Sequence, residues 1–129
     1  MRTLRVGIAS YEQMKARTIA IAHGKYKPAA GEPKVWFTSA ESFARVLSER
    51  NRALLGIIAA SGPESLTRLA ELTGRKKSNL SRTLKTMERY GFVQLSHGAR
   101  GSIIPKVPYQ AISLTLPLSK PGLQGIEAA

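Results

Sequence analysis

The stretch Ser65–Phe92, SLTRLAELTGRKKSNLSRTLKTMERYGF, leaves this chain few ways to fold. Leu66, Leu69, Ala70 and Leu72 recur at helical spacing behind Ser65, a capping residue, and Gly74 supplies the stop. A second helical pattern follows, with Leu80, Leu84 and Met87 on one side. At about 100° per residue, Ser78, Arg82, Lys85 and Arg89 fall roughly opposite those three. Two short helices meeting at a glycine must bury their apolar stripes, and the second then turns cations and small polar groups outward.

The flanking segments supply what these helices can pack on. Thr38 followed by Glu41 reads as a capping box opening a helix to about Leu47, with Phe43, Val46 and Leu47 inward. Ser48 or Asn51 can cap the next helix, to about Ala60, whose Leu54, Leu55, Ile57 and Ile58 make it the expected centre of the core before Ser61, Gly62 and Pro63 break it. Beyond the central stretch, Phe92–Leu95 and Ser102–Ile104 suit two short strands joined by a glycine-containing loop with Arg100 at its tip.

Nearer the start, Leu4, Val6 and Ile8 alternate with Arg5 and Gly7 as in a half-buried strand. Ser10 can cap a helix from Tyr11 to about His23 with a stripe of Met14, Thr18, Ile21 and Ala22, ended by Gly24. Residues 25–34 hold Pro28, Gly31 and Pro33 and read as a loop. Val35, Trp36 and Phe37 form a short strand-like run, expected in the core rather than as a stacking platform for single-stranded nucleic acid. Ile112, Leu114 and Leu116 alternate in a last strand ended by Pro117 and Pro121, and the tail from Ser119 to Ala129 has little to order it. The expected organisation is an N-terminal strand-helix extension (1–33), a central domain (34–106), and a C-terminal strand with a tail (107–129).

Charge narrows the function. Lys and Arg number 20 against 8 Asp and Glu, a net charge of +12, and all eight acids are glutamate. The excess gathers beside the central stretch: Arg75, Lys76, Lys77, Arg82, Lys85, Arg89, Arg100 and Lys106 face Glu88 alone across residues 75–106. An acidic partner is implied, with nucleic acid foremost. With neither aspartate nor cysteine, no paired-carboxylate spacing, no glycine-rich phosphate loop, and His23 far from His97, an enzyme, a metal centre or a bound cofactor is not expected. No apolar run approaches the roughly 20 residues that span a bilayer. Met1–Ser10 alternates too tightly with arginine for a signal-peptide core, so a cytoplasmic protein without membrane contact is expected.

Helix, helix, turn, basic helix, then a hairpin with a basic tip is the order of a winged helix-turn-helix, placed at about Thr38–Lys106. The fold class is therefore α+β, mostly helical, with that domain between the strand-helix extension and the last strand. The run LAELTGRKKSNLSRTLKTMERYGFV resembles the DNA-reading segment of MarR-type transcriptional regulators through Leu69, Ala70, Glu71, Gly74, Ser78, Ser81, Arg82 and Gly91. The whole chain, with its N-terminal strand and VPYQAISLTLPL ending, is also similar to small prokaryotic predicted regulators, some of which look like antitoxins of the TumA type. Arg75 departs from the pattern, standing where such regulators usually carry an apolar residue. No helix-forming segment follows the hairpin to build the MarR dimer, so the resemblance implies a mode of touching DNA and no effector pocket.

These readings assign Ser78, Asn79 and Arg82 to base edges, since arginine can bond two guanine acceptors and asparagine can pair with adenine. Arg75, Lys76, Lys77, Lys85 and Arg89 are assigned to phosphates, which position without reading sequence. Arg89 alternatively serves the helix dipole. Arg100 and His97 form the contact of the wing, at the backbone or the minor groove, with His97 otherwise an exposed loop residue. The expected partner is double-stranded DNA bound by a homodimer acting as a repressor of its own operon. The alternative is an antitoxin masking a small toxin, with the strands at Leu4–Ile8 and Ile112–Leu116 spare to pair with a partner's sheet. Structured RNA on the same basic face is a third reading.

Overall fold

The computed structural model describes residues 2–118. The tail 119–129, including Pro121, lies outside them. The chain is an α+β protein whose elements run β1 (Thr3–Ile8), α1 (Tyr11–Ala22), β2 (Val35–Phe37), α2 (Ala40–Val46), α3 (Glu49–Ser61), α4 (Leu66–Thr73), α5 (Lys77–Arg89), β3 (Gln94–His97), a 3₁₀ turn (Ala99–Gly101), β4 (Ile103–Lys106) and β5 (Ala111–Thr115). Within the described residues it divides into two compact units, one made of 2–3 and 44–111, the other of 4–43 and 112–118. This differs from boundaries at 33 and 106, because both end strands and β2 join one sheet, and a sheet's hydrogen bonds bind strands regardless of their distance in sequence.

In the sheet unit the order is β2-β1-β5, with β1 central. β2 runs parallel to β1, pairing Val6 with Val35, Gly7 with Trp36 and Ile8 with Phe37. The expectation of two spare strands is thereby corrected for β1, which has neighbours on both sides, whereas β5 is an edge of the sheet, as is β2. Leu4, Val6, Ala9, Ala20 and Phe37 are buried here, and Phe43 meets Phe37 edge-on with ring centroids 5.4 Å apart.

α1 starts as expected, with the Ser10 hydroxyl accepting from the Gln13 amide and the Gln13 side chain reaching back to Ser10. Its inward row is different. Thr18 and Ala22 are exposed, whereas Ala20 is buried and the Arg17 side chain keeps only 12% of its surface. Arg17 pairs with Glu32 at 3.0 Å and lies over the rings of Trp36 (5.3 Å) and Tyr26 (5.7 Å). A carboxylate and two π-faces replace water around the guanidinium, and this is how a charge occupies a position that an apolar pattern skips.

Trp36 also lies against Gly7. A Cβ at Gly7 would stand 2.7 Å from Trp36 Cζ3 and 2.9 Å from Pro33 Cγ, closer than carbon atoms pack. Gly7→Ala is accordingly expected to destabilise this unit by about 1–3 kcal/mol. Urea unfolding followed by the fluorescence of the single tryptophan would measure it, and a variant with an unchanged midpoint would show that the ring moves aside freely.

The second unit is built from α3, α4, α5 and the antiparallel β3–β4 hairpin. α2 opens one residue later than expected: Ser39, not Thr38, accepts the Ser42 amide at 3.0 Å, because the helix begins at Ala40 and the cap must directly precede it. Ser48 caps α3, and Gly62 ends it in the left-handed conformation at φ 54°. Ser65 caps α4 by accepting the Arg68 amide, and Gly74 ends it at φ 72°. Leu72 is partly exposed while Leu69 is fully buried, so the α4 stripe is narrower than its leucines suggest.

α5 ends in a Schellman motif. Gly91 donates to the Glu88 carbonyl and Phe92 to that of Met87, with Gly91 at φ 82°. Phe92 and Val93 are thereby drawn into the core instead of pairing, which moves the first hairpin strand from the expected 92–95 to Gln94–His97. Leu54, Ile58, Leu69, Leu80, Leu84, Met87, Phe92 and Val93 are each at most 2% exposed and form the core, with Pro105 of β4.

Candidate nucleic-acid interface

The inner face of α5 is sealed. Leu80, Leu84 and Met87 have no accessible surface, and α4 packs along the helix. Four- and three-residue spacing of large apolar side chains fixes the helix in rotation, so the intervening residues have no choice of side. Ser78, Asn79, Arg82, Lys85 and Arg89 are all exposed, as are Lys76 and Lys77 at the start of α5. Among the described residues the ion pairs are Arg17–Glu32 and Arg68–Glu71. Among these residues none of the α5 cations engages a carboxylate, and the Arg89 side chain makes a 3.4 Å contact to the Thr86 hydroxyl.

Lys76 and Lys77 stand at the positive end of the α5 dipole, with no acid in the first turn. Two cations there raise the local potential, and an anion would relieve it. The hairpin extends from the same unit, with β3 packed against α5. His97 pairs with Ile103 at its end, and the side chain of His97 is exposed. Arg100 is exposed at the tip and is the non-glycine residue at positive φ (59°) among those described. A Cβ at Gly98 would fall 2.7 Å from Ile104 Cδ1 and 2.8 Å from the Ser102 hydroxyl, so a side chain there would require both to shift.

Arg75 is placed differently from the other cations. Rather than extending into solvent toward a phosphate, it lies half-buried between α3 and α5. Its Nε donates to Asn79 Oδ1 at 2.8 Å, Nη1 to Asn51 Oδ1 at 3.2 Å, and Nη2 to Thr83 Oγ1 at 3.2 Å. Burial foremost, and the nearby charge of Arg50 next, lower its pKa from the ordinary arginine value. Asn51, read from sequence as an alternative cap, instead serves as a bridge: its Nδ2 donates to the Val46 carbonyl at 3.0 Å while its Oδ1 receives Arg75.

Asn51 and Thr83 thus join Arg75 and Asn79 in a grouping that pattern reading passes over, with Arg50 near enough for its charge to act on Arg75. The spacing of Arg75, Asn79 and Thr83, one helical turn apart each, carried a readable signal for their shared side. Asn51 and Arg50 carried none, because only packing brings α3 beside the start of α5.

Among the described residues no helix is long and apolar enough to cross a membrane. No curated protein and no solved structure matches the chain. A protein-family model does match residues 46–114, from the end of α2 through the hairpin into β5, which is more than half of the chain, and the chain therefore belongs to the HVO_A0114 family.

Proposed function

We propose that this chain is a winged helix-turn-helix protein that binds double-stranded DNA in a sequence-specific way and regulates transcription from the cytoplasm. In this reading α4 and α5 are the helix-turn-helix, α5 enters the major groove, and the β3–β4 hairpin is the wing. The observation that carries it is the division of α5: one face has no accessible surface, and the other presents Arg82, Lys85 and Arg89 without a carboxylate partner among the described residues. A helix so fixed fits the roughly 12 Å width of the major groove, and unpaired cations suit a polyanion whose counterions are released on binding.

Ser78, Asn79 and Arg82 lie in the first half of α5, the part that reaches base edges when such a helix docks. Lys76, Lys77, Lys85 and Arg89 take phosphates, and Arg100, with His97 nearby, takes the backbone or minor groove beside the wing. The protein acts as a dimer on an inverted repeat whose half-sites lie about one helical turn apart, repressing its own promoter. Binding, not catalysis, is the activity.

Fluorescence anisotropy at physiological salt tests this on duplex DNA from the gene's own upstream region against a scrambled duplex of the same length. The native duplex is expected to bind at least about 10³-fold more tightly. Equal affinity would overturn sequence-specific regulation, and a stronger response to structured RNA would redirect the reading to that ligand.

A further inference from the structure

Arg75 presents its fork inward. All three of its nitrogens donate to protein oxygens, on Asn79, Asn51 and Thr83, and Asn51 is itself held through the Val46 carbonyl. An arginine that clamps a phosphate turns the same fork outward, because bidentate recognition needs two parallel N–H groups free. The strongest consequence falls on Asn79. Its oxygen accepts the shortest of the three bonds, 2.8 Å, from a charged donor. Its nitrogen, across the amide carbon from that oxygen, is turned away from Arg75 and donates to no acceptor among the described residues.

An asparagine that reads adenine uses both ends of its amide, accepting from N6 and donating to N7. One whose oxygen already accepts from an arginine has one lone pair taken and that oxygen fixed in direction, while its N–H donors stay free, so an edge made of acceptors suits it better. Guanine presents two, N7 and O6. We propose that Arg75 is a positioning residue for DNA reading, which holds Asn79 by its oxygen and so makes Asn79 select guanine over adenine. This rests on the DNA-binding function proposed above.

The test uses the full-length protein and duplexes that the wild type selects from a random pool, each then varied base by base. At one base pair of each half-site the wild type is expected to prefer guanine over adenine by about tenfold. Asn79→Ala, a change at an exposed position, should erase that preference and leave the others. Arg75→Met removes the donors at similar volume and frees the Asn79 oxygen, so the preference at that base pair should move to adenine. The slope of log affinity against log salt should stay unchanged. Arg75→Lys keeps the charge but cannot make three fixed bonds, and it should lose the guanine preference too. With Asn79→Ala already present, neither change at Arg75 should alter base preference further.

A phosphate contact would behave otherwise: Arg75→Met would weaken all duplexes alike and flatten the salt slope by about 0.9 per contact, while Arg75→Lys would bind nearly as the wild type does. That result overturns the proposal, as does a wild type that prefers adenine at the position sensitive to Asn79→Ala. Thermal melts by circular dichroism identify an unfolded Arg75→Met, in which case Arg75→Lys and Asn79→Ala decide the matter. A wild type that selects no sequence from the pool ends both this inference and the function beneath it. Selection that ignores both Arg75 and Asn79 ends the inference alone.

Discussion

Leu84→Ala is expected to lower the free energy of unfolding by about 2–5 kcal/mol. Leu84 has no accessible surface, and Leu80 and Met87, one turn to either side, have none. Truncation to alanine therefore removes buried methyl groups where the surrounding helices cannot collapse without moving α5 as a whole. A domain of this size is stable by about 5–15 kcal/mol, so the loss is a large fraction of the total. Urea denaturation followed by circular dichroism measures it, with Lys85→Ala as the neighbouring control at an exposed site, expected to stay within about 0.5 kcal/mol of the parent. A loss below about 1 kcal/mol at Leu84 would mean that the α5 face described here is not what anchors the helix.

Arg82→Ala is expected to reduce affinity for the preferred duplex by about 1–3 kcal/mol while leaving non-specific binding nearly unchanged. Arg82 sits one turn beyond Ser78 on the exposed side of α5, and its side chain is not tied to any carboxylate among the described residues. It can thus give both of its terminal nitrogens to guanine without breaking an ion pair among the described residues. Lys85→Ala should instead weaken specific and scrambled duplexes alike and reduce the salt slope by about 1, because an ammonium on a phosphate carries charge and no base information. Titrations of both duplexes at several salt concentrations separate the two outcomes. Identical behaviour of the two variants would remove the distinction between base and phosphate contacts on this helix.

What could be read from sequence follows the range of the forces involved. Ser10, Ser48, Ser65, Gly62 and Gly74 act within one turn of themselves, so their capping roles were legible from neighbours alone. The same locality made the sealed face of α5 legible from three residues. The cap of α2 falls on Ser39 and not on Thr38, because the two stand side by side and either residue type can cap. Arg17 broke the α1 stripe, since nothing local reveals that Glu32, Tyr26 and Trp36 converge on it. The charge of Arg75, at a position where such regulators carry an apolar residue, suggests a phosphate contact, whereas its bond to Asn51 crosses between helices and can be seen only in the packed chain. The sheet shows the same limit: β1 and β5 each read as a strand, but which strand would be their neighbour depends on contacts that alternation does not encode.

The central place of β1 has a further consequence for how the molecule is made. Synthesis proceeds from the N-terminus, so β1 leaves the ribosome before β2 and meets it soon after, yet β5 cannot arrive until all of α3 through β4 has been translated. At about 5–20 residues per second this interval lasts several seconds, long enough for the local helices of the inner unit to pack. Throughout it, β1 carries an open row of backbone donors and acceptors beside Leu4 and Val6, an edge of the kind that recruits other nascent strands. The sheet is therefore the last part of the chain to be completed, and until β5 arrives the exposed edge of β1 is the place where a newborn chain is open to pairing with others.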